Sequence, residues 1–152
     1  MFNIYTLIKF AHILLAIIAV GFNASYAIGI MRAAREPEHF GHVLRGIKFL
    51  DDHFANPAYG LLLVTGLIMI LTAGIPLTTF WIAAAIVLWF VMLIIGVGFY
   101  TPALRRQIQV LEAEGADSPE FKKLARRSTL VGIILMIPVL LILILMIFKP
   151  TI

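Results

Sequence analysis

The chain has 152 residues, of which 62% are hydrophobic and only 13% charged. A soluble domain is about half apolar and a quarter charged, so this composition excludes an ordinary water-soluble globule and makes the bilayer the solvent. The absence of cysteine removes disulfides, thiolate metal sites and thiol catalysis. The net charge of +4 is dispersed among apolar neighbours, which argues against a nucleic-acid partner.

Four apolar runs, at 4–31, 58–73, 80–100 and 130–148, approach or exceed the roughly 20 residues of helix that cross a hydrocarbon core. The first lacks a basic leader and is longer than the apolar region of a signal peptide, about 7–15 residues, so it reads as a retained helix. On a helical wheel its Tyr5, Lys9, His12, Ala16, Ala19, Asn23 and Tyr26 fall within about 100° of one another. A face that alternates polar and small residues points into a bundle, because an unpaired polar group facing lipid is costly. It is read either as close packing through Ala16 and Ala19, or as the wall of a cofactor site. In the second reading His12 is a haem ligand, alone or with Met69 on the second span or Met146 on the fourth in the other axial position, and Tyr5, Lys9 and Asn23 line the pocket. The remaining histidines, His39, His42 and His53, lie at the opposite membrane face, too far along the helix to share one iron.

Between the first two spans, EPEHFGHVLRGIKFLDDHF carries Phe40, Val43, Leu44, Ile47, Leu50 and Phe54 at helical spacing. This predicts an amphipathic helix lying at the membrane interface. Asn56 before Pro57 has the pattern of a helix start, with Asn as cap and Pro in the first turn, so a bend into the second span is expected there. Asp52 pairs with Lys48 one turn earlier. Asp51 falls on or beside the apolar stripe and needs a partner, for which Arg45, Lys48 or a basic residue of the 105–127 hairpin is available. Asp51, His53, Asn56 and Arg45 are thus further polar site candidates.

The third span runs on through ALRRQIQVLEAEG, and Gly115 ends it. Asp117 and Glu120 make a capping-box pattern, with Pro119 near the start of a helix that leads into the fourth span. Trp81 suits an interfacial anchor, Gly96 and Gly98 permit close approach, and Pro138 predicts a kink in the fourth helix. Ten of the twelve Lys and Arg residues fall in 32–56 and 105–127, which places both charged segments in the cytoplasm and both termini outside. The expected architecture is all-α: one domain, 1–152, forming a four-transmembrane-helix bundle with an interfacial helix between helices 1 and 2 and a cytoplasmic extension of helices 3 and 4. No nucleophile–base pair, phosphate loop or metal motif stands out.

The segments KFAHILLAIIAVGFNASYAIGIMRAAR, RGIKFLDDHFANPAYGLLLVTGLIMI, TTFWIAAAIV, YTPALRRQI and MIFKP together resemble the DUF2269 family of predicted bacterial integral membrane proteins. The resemblance covers nearly the whole chain and implies four transmembrane helices in the bacterial cytoplasmic membrane. More loosely, a histidine in the first helix of a small four-helix membrane protein is similar to the HemJ-type protoporphyrinogen oxidases and the CopD-type copper proteins. In the HemJ type such a histidine is implicated in haem or porphyrin binding, and His12 occupies the matching position.

Three functions follow as expectations. The first is a membrane protein that binds haem b or a porphyrin through His12. The second is a small solute or proton transporter that uses the polar face. The third is an accessory subunit whose basic segments dock a partner. The lipid bilayer is the expected neighbour, and with few polar interior groups in one copy, a second copy or another membrane protein is the expected source of any missing part.

Overall fold

The computed structural model describes residues 3–150. It contains four long helices, α1 (Ile4–Ala33), α2 (Phe40–Ala73), α3 (Phe80–Glu114) and α4 (Pro119–Phe148), and each is long and apolar enough to cross a membrane. A single 3-10 turn, Pro37–His39, joins α1 to α2. Among the described residues there is no strand. At 1.5 Å per residue α2 and α3 run about 50 Å, or about 20 Å more than a hydrocarbon core.

Local chemistry accounts for the ends. The Asn3 side chain accepts from the Tyr5 amide at 3.3 Å and starts α1. Gly74, at a φ of 65°, closes α2 in the left-handed region that favours glycine, and the uncharged turn that follows leads directly into α3. Gly115 closes α3 at a φ of 83°. The cap of α4 is Ser118, whose hydroxyl accepts from the Phe121 amide at 3.0 Å. The capping pattern expected of Asp117 is therefore displaced by one residue, and Asp117 instead faces Lys122 at 3.4 Å. Pro138 sits inside α4, which stays helical on either side.

The helices associate as two pairs, α1 along α2 and α3 along α4. Along the apolar runs most large side chains remain exposed, as Ile17, Val64, Val87 and Ile144 are, and so are available to lipid. The main buried cluster lies elsewhere. The first part of α2, Phe40–Leu50, packs against Thr101–Glu114 of α3 and the start of α4. Tyr26, Phe40, Leu44, Ile47, Leu104 and Phe121 meet there, with Phe40 and Phe121 in edge-to-face contact at 5.3 Å.

This packing corrects two expectations. The amphipathic segment is not a separate helix: it continues without a break into the second span, and Phe40, Leu44 and Ile47 of its apolar stripe are buried by protein, while Phe54 stays exposed. The stripe has protein to bury against because α3 and α4 both extend past the membrane-crossing length. The helix start expected at Asn56–Pro57 is also absent, because a π-helical turn, Asp51–Ala55, carries the helix through the proline.

Candidate functional site

Proline in a helix interior has no amide to donate, and its ring crowds the carbonyl four residues back. The chain meets this difficulty twice, at Pro57 in α2 and at Pro102 in α3, and solves it the same way both times. In α2 the Asn56 amide bonds back five residues to the Asp51 carbonyl, and in α3 the Thr101 amide bonds five back to Gly96. Each π turn, Asp51–Ala55 and Gly96–Tyr100, takes one residue more than an α-helical turn and widens the helix locally, a distortion often found at functional sites.

Both widened turns open onto one cavity of about 240 Å³, to which all four helices contribute. Asn23 comes from α1, Asp51, Asn56 and Tyr59 from α2, Trp89, Tyr100 and Thr101 from α3, and Met136 and Val139 from α4. A hydrogen bond crosses between the helix pairs here, from Trp89 Nε1 to the Tyr59 carbonyl at 3.1 Å. The Asn23 amide group donates to the Ala19 carbonyl at 2.9 Å and to the Tyr59 hydroxyl at 2.6 Å. Asn23 thus does bond across helices, as its place on the polar face of α1 suggested, and it fixes Tyr59 at the cavity wall.

Asp51 is the chemical centre of this arrangement. It is only 6% exposed, ahead of the apolar run that begins at Ala58. Its Oδ2 accepts from Asn56 Nδ2 at 3.2 Å. Because the helix does not start at Asn56, that side chain is released from capping and serves the carboxylate instead. The expected cationic partners are engaged elsewhere: Arg45 donates to Glu112 at 2.9 Å, and Lys48 pairs with Asp52, as the sequence predicted. Among the described residues no Lys or Arg reaches the Asp51 carboxylate within ion-pair distance. Loss of hydration pushes this carboxyl above the usual carboxylate range, and the charge of Asp52 adds to the effect. The Asn56 hydrogen bond and Lys48 oppose it.

The remaining candidates separate from the cavity. His12 faces Thr65 of α2, with Nδ1 and Oγ1 2.8 Å apart. The Thr65 hydroxyl donates to the Leu61 carbonyl at 2.7 Å, so its oxygen is free to accept the His12 Nδ1 proton. Gly66 admits the ring, since a Cβ there would stand 3.3 Å from His12 Cε1. Tyr5 is half-buried and Lys9 exposed on α1, while Met69 is half-buried one turn past Thr65; none of these lines the cavity. His53 is exposed, donating to its own Phe49 carbonyl at 2.9 Å and stacking on the Phe49 ring. Among the described residues no three His, Asp or Glu side chains gather as a metal site.

Sequence reasoning did not single out Tyr59, Trp89, Tyr100 or Met136. A signal was present, since NP and TP dipeptides each follow an aromatic-containing stretch and interrupt an otherwise helical run. No curated protein and no solved structure matches the chain. The model of the DUF2269 family, described as predicted integral membrane protein, matches residues 6–150, and the chain belongs to that family.

Proposed function

We propose that the protein binds a small organic cation, an ammonium of a few heavy atoms, in the four-helix cavity as the recognition step of a membrane transporter. The observation that carries this reading is the buried Asp51 carboxylate, which has one side-chain hydrogen bond, no cationic partner within ion-pair distance among the described residues, and a place in the cavity wall. An isolated carboxylate out of water costs several kcal/mol. A cation entering the cavity supplies the partner that an ionised Asp51 lacks, and the aromatic residues Tyr59, Trp89 and Tyr100 line the same cavity, where a ring can attract a cation. At about 30 Å³ per water, the cavity holds the volume of about eight waters, which limits the guest to a small solute.

Orientation fits the same reading. With both Lys- and Arg-rich segments in the cytoplasm and both termini outside, the cavity lies toward the cytoplasmic face of a bacterial inner membrane. The start of α2 and the α3–α4 hairpin then stand in the cytoplasm as the cavity's floor. Isothermal titration in dodecyl maltoside with methylammonium and tetramethylammonium chloride, and potassium chloride as control, tests this. Hydrogen bonds to charged groups are worth about 1.5–3 kcal/mol, so Asp51→Asn is expected to weaken ammonium binding about tenfold to 150-fold. Equal heats from wild type and variant would sink the proposal.

A second reading has its own observation. His12 spends Nδ1 on Thr65, as a ligating histidine commonly spends one ring nitrogen on an outer partner, and this leaves Nε2 for iron. The absorption of the purified protein from about 350 to 700 nm, oxidised and then reduced, decides it. A Soret band that shifts on reduction and is lost in His12→Ala establishes haem b, and a colourless protein expressed with excess haem removes it.

A further inference from the structure

We infer that the cation enters the cavity in exchange for one proton, with Asp51 holding either the proton or the cation and never both. The inference deepens the cation-binding reading and rests on it.

The walls supply the argument. Tyr59 from α2 and Tyr100 from α3 line the cavity with Asp51, and a phenol carries no charge near neutral pH. Among the described residues the other charges that bear on Asp51 are Lys48 and Asp52, which pair with each other and act on Asp51 in opposite directions. From α4 the lining is apolar. Asn56 is thus the one wall group shown to bond the carboxylate, no cation in the wall balances its charge, and burial of a carboxyl favours its neutral form. In the proton-loaded state Oδ1 carries the proton, since Oδ2 already accepts from Asn56. When an ammonium arrives, the Oδ1–H bond breaks and the proton passes through the cavity mouth to water. The carboxylate then pairs with the cation while Asn56 keeps its hydrogen bond.

The exchange leaves the charge of the cavity unchanged. Each loaded state holds one positive charge beside one carboxylate, so neither exposes a bare ion to the bilayer. This is the condition a one-for-one antiporter must meet, and it needs no residue beyond those already in the wall.

The test uses the wild-type protein in detergent, titrated calorimetrically with tetramethylammonium chloride between about pH 5 and pH 8 in buffers of different ionisation enthalpy. Exchange predicts that Kd falls about tenfold per pH unit while Asp51 is protonated in the empty state, and levels off once it is not. On the sloping arm, buffer ionisation should report close to one proton released per cation bound. Heat that is independent of pH, with no proton release, overturns the exchange and leaves cation binding standing. Absence of heat at every pH overturns cation binding and the exchange with it. Asp51→Glu, which keeps a carboxylate, should retain the slope, and Asp51→Asn should show neither slope nor release; a slope that survives in Asp51→Asn assigns the proton to another group and overturns the inference.

Discussion

Leu44→Ala separates the two environments open to the amphipathic first part of α2. Leu44 is fully buried, and its neighbours in the cluster, Phe40, Ile47, Leu104 and Phe121, come from three helices. Truncating a buried leucine costs about 2–5 kcal/mol, because the transfer energy is lost and the surrounding side chains collapse only partly into the void. That is a change of about thirtyfold or more in the folding equilibrium. A stripe lying on the interface would behave differently, since a leucine facing lipid or detergent leaves no protein cavity when shortened. Leu130→Ala supplies the comparison, because Leu130 is 53% exposed on α4, and surface changes of this kind fall within about 0.5 kcal/mol. The assay is thermal unfolding in dodecyl maltoside, followed by the fluorescence of Trp81 and Trp89. Equal midpoints for the two variants would refute the packing described and return the segment to the membrane surface.

Three other outcomes follow from the same contacts. Trp89→Phe removes the hydrogen bond to the Tyr59 carbonyl that crosses between the helix pairs, and a loss of about 0.5–1.5 kcal/mol is expected in the same unfolding assay. Stability should depend on pH through Asp51: because burial raises its folded-state pKa, the folded protein binds a proton that the unfolded chain releases. This contribution is fully present below the unfolded carboxyl's pKa and is lost as pH rises through the folded value, so the melting temperature should fall across that window, and Asp51→Asn should remove Asp51's share of the fall. Deleting Gly98 from the second π turn should leave a folded protein, because that turn already holds one residue more than the α-helical repeat. Deleting Leu88 from regular helix should not, since it rotates everything beyond by about 100°; size-exclusion profiles in detergent distinguish the two.

The sequence made the spans legible because lipid imposes a one-dimensional rule: enough apolar residues in a row, or no crossing. It also revealed the inward face of α1, where Asn23 and Ala19 do meet α2 and His12 finds Thr65. What it could not reveal was the company kept by the stripe at Phe40, Leu44 and Ile47. An amphipathic helix reads the same whether its apolar side meets lipid or protein, and only the extended α3–α4 hairpin decides between them. The same limit hid the role of Asn56: a residue before proline suits a cap, and the periodicity of the sequence does not show that the helix passes through.

The two π turns connect these points. In α2 the turn joins the amphipathic segment and the span in one continuous helix, in which Phe40, Leu44 and Ile47 join the buried cluster while Tyr59 meets Asn23 of α1. In α3 the matching turn places Tyr100 against both the cluster and the cavity. The cavity therefore sits where two regular packings are spliced, at the level where each helix takes one residue too many. A carboxylate survives there because the splice opens space beside it and supplies an asparagine that no longer has a helix to cap.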